Sequence, residues 1–266
     1  MAMNTDNILH LSDLNLAEFI REMARWNAAG EIWEQNDLVL TKGAGRSPIT
    51  NSAMNLSPAH DANSGSDTFD RIQSFYGARQ SGFSIYIRKH ADQALETICR
   101  QKDMLQVSDA PGMMVDMQIP CKQLPSGMEI REIDDVAGVV DFASVMMQSY
   151  VSLDMPPSIG EKIFASPERL LRPYNYLVVA YDKGHPVTAA MVIFSHSIAG
   201  IYWVGTVQNA RGKGLAEACV SAVTNEALRR GAAFVALQAS KYGEPIYRRM
   251  GFKEFTRYPW YMRFYK

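Results

Sequence analysis

The segment "TVQNARGKGLAEACVSAV", residues 206–223, sets Gly212 and Gly214 between basic residues and runs without a break into an amphipathic helix. Glycine removes the side chain where a ligand would approach and accepts backbone angles that a β-carbon resists. The free amides of a helix's first turn, with the helix dipole behind them, favour an anion. Arg211 and Lys213 add positive charge. A pyrophosphate suits this chemistry, and on the loop alone a basic turn capping an ordinary helix suits it equally. Neither G-x-G-x-x-G nor G-x-x-x-x-G-K-[ST] is present, so the dinucleotide and nucleoside-triphosphatase readings lose support.

The surroundings of this loop decide between the two. "GIYWVGTV" before it has the composition of a strand. After it come a helix stopped at Gly231, the strand "AFVALQA" and the short helix "PIYRRMG". Pro245 stands in that helix's first turn and Gly251 at its end, and "YMRFY" is a last strand. Upstream, "MEIREI" alternates as a half-buried strand, and "DDVAGVVDFASVMMQSYV" reads as a helix with acidic residues at its positive end. "YLVVAY" and "VTAAMVIFS" form a hairpin around "DKGHP". The second half is therefore a mixed α/β unit of mostly sequence-adjacent strands.

"RGKGLA" resembles the (Gln/Arg)-x-x-Gly-x-(Gly/Ala) signature of the GNAT superfamily of N-acetyltransferases, with Arg211, Gly214 and Ala216 in the defining places. Downstream, "ASKYGEPIYRRMGF" is similar to the family's second signature, a tyrosine on a short helix followed by Gly-Phe. The order strand, loop, helix, strand, helix between them also agrees, and the likeness covers about the last half of the chain. One departure is Gln208, where a proline is common.

The resemblance implies that Arg211, Gly212, Lys213, Gly214, Leu215, Ala216 and Glu217 hold the pyrophosphate of acetyl-coenzyme A. It also implies that Val204, Gly205 and Thr206 bond the pantetheine arm as an added strand would. A glycine inside an apolar strand often marks a bulge or a close approach of another chain, and a bulge at Gly205 would splay this strand from "AFVALQA". Thr206 also suits a plain strand end.

Acyl transfer from a thioester needs a neutral amine, a donor to the developing oxyanion and a proton for the departing thiolate. The resemblance makes Tyr247 that proton donor, while its spacing with Ile246 and Met250 also permits simple packing. No base is assignable: "AFVALQA" has no acid, Gln238 cannot accept a proton usefully, Glu244 can cap its helix, and His196 stands alone in a turn. Tyr202 and Trp203 should alternate across their strand, one toward the active side and one toward the core. "YVSLDMPPS" occupies the place of an acceptor lid, and its proline pair suggests a fixed loop.

In the first half, "LNLAEFIREMARWNAA" has helical spacing and "DLVLTKG" reads as a strand. Residues 44–66, rich in Ser, Asn, Pro and Gly, read as a mobile loop. "FDRIQSFYGARQ" is helical, "FSIYI" a strand, "DQALETICRQ" a helix and "GMMVDMQI" a strand. This order echoes the second half and sets residues 94–99 against 245–250, without the glycine signature or the tyrosine. A degenerate GNAT-like or accessory domain over residues 1–124 is expected, with the acetyltransferase domain over 125–266 and the boundary near "PCKQLPSG".

The 266 residues, 47% hydrophobic, provide ample core, and a net charge of −1 supplies no drive toward nucleic acid or anionic membrane. Cys99, Cys121 and Cys219 are too dispersed for a disulfide framework or a zinc site, so no metal is expected. "MAMNTDNILHLSDL" does not read as a signal peptide and the apolar hairpin does not read as a membrane span, so the cytoplasm is the expected compartment.

The expectation is an α/β tandem GNAT-like architecture: a central, mostly antiparallel mixed sheet flanked by helices, with strands splayed at the coenzyme slot. The implied activity is direct acetyl transfer from acetyl-coenzyme A to an amine of a small molecule or peptide, with no covalent enzyme intermediate. A homodimer stays open. The alternatives are a non-catalytic acyl-coenzyme A sensor and an acyltransferase with a longer acyl donor.

Overall fold

The computed structural model describes residues 4–35, 37–43, 45–58 and 61–265. In chain order the elements are α1 (Thr5–Arg25), β1 (Glu31–Gln35), β2 (Leu38–Lys42), β3 (Asn51–Asn55), α2 (Ala62–Ala78), β4 (Phe83–Tyr86), α3 (Gln93–Gln101) and β5 (Leu105–Val115). They continue with β6 (Met128–Ile133), α4 (Val136–Ser149), α5 (Pro157–Ile163), β7 (Asn175–Asp182), β8 (His185–Ser195) and β9 (Ile198–Thr206). α6 (Leu215–Arg229), β10 (Val235–Gln238), α7 (Glu244–Arg249) and β11 (Lys253–Arg263) complete the chain.

Two compact units emerge. One takes the described residues up to Gly112 together with Gln238–Lys241 and those from Glu254 onward; the other takes Met113–Leu237 and Tyr242–Lys253. The division expected at 124/125 assigns the last strand to the second half, whereas nearly all of β11 packs within the first unit, where it pairs antiparallel with β4.

In the first unit β1, β2 and β3 form an antiparallel meander and β4 lies parallel to β3. A parallel pair needs a crossover, which α2 supplies. Phe69, Ile72 and Tyr76 of α2, with Leu95 and Cys99 of α3, pack on Leu40, Ala53 and Ile85 of the strands. The mobile loop expected over 44–66 contains β3 and the start of α2 instead, with Ala44, Ala59 and His60 outside the described residues. Its polar composition misleads because the polar groups are buried with partners. The Asn51 side-chain amide donates to the Gly82 carbonyl at 2.9 Å, and the Tyr76 hydroxyl donates to the Ser52 carbonyl at 2.8 Å. α1 begins at Thr5, ahead of its apolar stripe, because the Asn4 side chain caps it by accepting from the Asp6 amide.

In the second unit β6, β7, β8 and β9 run antiparallel in sequence, and β10 lies parallel to β9 across α6. α6 buries Cys219, Val220, Val223 and Ala227 and ends before Gly231, whose φ of +92° is the left-handed turn that glycine permits. The stretch Val136–Leu153 is apolar and long enough to cross a membrane by composition alone, yet Val139, Phe142, Val145 and Met146 are buried in this unit. Where a fixed loop was expected after α4, Pro157 opens α5, as its preset φ suits a helix's first turn.

Candidate functional site

The site begins where two strands part company. β10 pairs with β9 from Val235↔Ala199 only as far as Leu237↔Ile201, while β9 continues from Tyr202 to Thr206. On its other edge β9 stays with β8, but the register slips between Ala189↔Gly205 and Met191↔Tyr202. The irregularity therefore falls at Trp203 and Val204, ahead of the expected Gly205, and Trp203 takes a φ of +52° to make it. Tyr202 and Trp203 are both buried. Gly205 answers to close approach instead: a β-carbon there would lie 2.1 Å from Ser149 Oγ at the end of α4.

After β9 the chain turns through Gln208–Ala210, and Gly212 and Gly214 take φ of +78° and +76°. Gly214 is the N-cap of α6 and brings no side chain to cap it. Among the described residues, none of the amides of residues 212–217 has a hydrogen-bond acceptor, and the first helical bond runs from the Ala218 amide to the Gly214 carbonyl. Leu215 is buried as the anchor, while Ala216 and Glu217 sit half-buried on the first turn. Of the sequence-predicted residues, 212–217 thus bring together one contiguous run of unpartnered amides, while the Arg211 amide donates to the Gln208 carbonyl at 3.4 Å.

Its charges have different partners. The Arg211 guanidinium donates to the carbonyls of Thr206 (3.1 Å) and Ser149 (3.3 Å) and to the Ser152 hydroxyl (3.1 Å), tying the loop to the end of α4. All three acceptors are neutral, so its charge stays uncompensated among the described residues. Lys213 stands 3.8 Å from Asp182. Glu217 accepts from Lys122 at 2.7 Å and from Arg249 at 3.0 Å, and these two cations hold its carboxyl below the ordinary range. Lys122 had no sequence signal of its own, since it sits in "PCKQLPSG", which reads only as a boundary.

Arg249 also ties α7 to the first turn of α6, so the helix carrying Tyr247 is held to the cradle. Tyr247 is 8% exposed, with its ring edge-on to Phe252 at 5.7 Å. Burial raises its phenol above the ordinary value, so it stays protonated near neutral pH. Glu244 pairs with Arg248 at 2.8 Å, and Gly243 is the cap of this helix. His196 lies exposed in the β8–β9 turn, at the opposite end of β9 from Thr206. His196 is thus far from Tyr247 along the strand, while Glu244, one turn before Tyr247 on α7, is engaged by Arg248.

Trp203 meets Tyr150 at 4.9 Å and Phe164 at 5.2 Å, and Phe142 meets Phe164 at 6.0 Å, so the Trp203 ring is packed among aromatic neighbours. The Cys219 thiol is pushed up to about 12 by burial, which marks a packing residue. No cluster of metal-ligating side chains occurs among the described residues.

Residues 162–258 match the family model described as an acetyltransferase (GNAT) domain. Over 93% of both chains the fold is similar to that of a GCN5-related N-acetyltransferase from Kribbella flavida, with a TM-score of 0.71 and 17% identity. A GCN5-related N-acetyltransferase from Sphaerobacter thermophilus gives 0.65 and 18%, over 86% of this chain and 81% of that one. A tandem GNAT protein from the clavulanic acid biosynthesis pathway gives 0.60 and 11%, over 96% of both. No curated protein matches significantly. The chain thus has a fold similar along its length to that of tandem GNAT proteins, and the family-model match falls on residues 162–258.

Proposed function

We propose that the second unit binds acetyl-coenzyme A and transfers its acetyl group to the amine of a small molecule or peptide, in the cytoplasm. The observation that carries this reading is the run of unpartnered amides at residues 212–217, standing directly after a strand that has outrun its neighbour. The fit is chemical as well as topological. Two glycines at positive φ admit a diphosphate to the amides, and the free edge of Val204, Gly205 and Thr206 offers main-chain groups to an amide-bearing arm. The coenzyme supplies an activated acetyl thioester.

Residues of the chain do the rest. Arg211 and Lys213 add charge beside the diphosphate, and the cradle fixes the thioester end along β9. Tyr247 holds a proton at its hydroxyl for the departing thiolate, the protonation state its burial favours. With no carboxylate on β10, the amine gives up its proton to solvent rather than to a residue of that strand.

The test is thiol release from acetyl-coenzyme A in the presence of amino-acid, polyamine, aminoglycoside and peptide amines, repeated with a longer acyl donor. Tyr247→Phe is expected to lower kcat about 100-fold while leaving coenzyme affinity unchanged. Transfer that survives the substitution intact would remove the acid role. The missing carboxylate favours one other reading, a non-catalytic acyl-coenzyme A sensor. Tight binding with no transfer to any amine class would select it.

A further inference from the structure

The segment between β5 and β6 is threaded along α6 by side chains four residues apart. The Ile119 amide donates to Asn225 Oδ1 at 2.8 Å, and Asn225 Nδ2 donates back to the Ile119 carbonyl at 2.8 Å. One turn nearer the start of the helix, the Ser221 hydroxyl donates to the Pro120 carbonyl at 3.4 Å. One further turn along, Lys122 Nζ meets Glu217 at 2.7 Å. Residues 217, 221 and 225 share one helix face. The path of the strap is thus set by backbone bonds, and Lys122 arrives at the first turn of α6 as its end point.

There the lysine lies directly against the cradle. Its Cε and Nζ would both stand 2.5 Å from a β-carbon on Gly214, so the absent side chain of the N-cap is what makes room for it. Glu217 is shared with Arg249, so the carboxylate keeps a cationic partner if the lysine leaves it. A lysine is a mobile point charge on a flexible stem, and a half-exposed pair of this kind exchanges readily.

We propose that Lys122 is a diphosphate ligand supplied from outside the glycine loop, and that Glu217 holds its ammonium at the cradle until the coenzyme diphosphate takes it over. The inference rests on the coenzyme reading above and adds to it a residue that belongs to neither sequence signature. It also couples coenzyme binding to the strap over residues 119–122.

Calorimetric titration of Lys122→Gln and Lys122→Arg with coenzyme A and with 3′-dephospho-coenzyme A tests it. Lys122→Gln is expected to weaken both ligands about tenfold and by the same factor, with an unchanged melting temperature. Lys122→Arg is expected to stay within about threefold of the parent, because the charge is kept. Unchanged affinity in Lys122→Gln would overturn the proposal. So would tighter binding, which would make the lysine a plug. A loss confined to coenzyme A would move the lysine to the 3′-phosphate and overturn the diphosphate assignment. A parent protein that binds neither ligand would instead bring down the coenzyme reading itself, and the inference with it.

Discussion

Two helices in this chain follow a strand and cross over to a parallel one, and their first turns are built in opposite ways. α2, between β3 and β4, begins at Asp61, whose carboxylate accepts from the Ser64 amide at 2.8 Å in a reciprocal capping box. α6, between β9 and β10, begins at Gly214 and leaves its amides bare. The strands differ in the same sense. β3 keeps its parallel partner to Met54↔Tyr86, one residue from its end at Asn55, whereas β9 runs on from Tyr202 without its parallel partner β10. An acid that caps its own helix both satisfies the amides and repels an anion. One topology thus yields a capped helix start in the first unit and a bare one in the second, the start that the proposed coenzyme reading makes an anion site. The helix after each parallel pair repeats the lesson. The repeat expected from the sequence, residues 94–99 against 245–250, would set Glu96, paired with Lys89 at 2.7 Å, against Tyr247.

The comparison breaks most sharply at Gly214. Gly214→Glu puts a carboxylate where α2 has one, at a φ of +76° that costs about 1–3 kcal/mol in strain for a side chain. Coenzyme affinity by calorimetry is expected to fall about 100-fold or more, and unchanged affinity would refute the cradle. Next in size is Gly205→Ala, whose β-carbon would press on Ser149 Oγ. Denaturant unfolding is expected to show a loss of about 1–3 kcal/mol, and a neutral result would mean that the end of α4 moves aside freely.

Asp61→Ala sharpens the comparison from the other side. Uncapping α2 is expected to cost about 1 kcal/mol of stability without creating a second coenzyme site, because β3 and β4 do not part. A second equivalent bound would show that the cap alone separates the two units. The smallest effect is on pH. The cations beside Glu217 lower its folded-state pKa, so their contribution is present above the unfolded value near about 4.3 and fades as pH falls through the folded one. Acid unfolding of Glu217→Gln is expected to be flatter in that range, and an identical profile would mean the pairs carry no stability.

The residues that carry the coenzyme reading were legible because their chemistry is local. Gly212 and Gly214 announce positive φ, and the motif spacing sets them before a helix. β3 was not legible, because "NSAMN" has strand character only once Asn51 and Ser52 find partners at Gly82 and Tyr76. The bulge at Trp203 was hidden for a similar reason: a bulky aromatic residue gives no sign of a left-handed backbone, and Gly205 drew the attention that belonged to its neighbour. The Trp203 indole nitrogen is also buried without a hydrogen-bond partner among the described residues, a cost that composition cannot signal. Lys122 escaped notice because its meaning lies in Asn225, Ser221 and Glu217, a polar stripe that reads as ordinary helix surface until the strap is laid on it.

The central claim is that the bare start of α6 is an anion site and the capped start of α2 is not. Calorimetric titration of the whole protein with coenzyme A tests it most directly. The account predicts saturable binding at one site per chain, lost in Gly214→Glu and kept in Asp61→Ala. No binding, or two equivalents per chain, would contradict it.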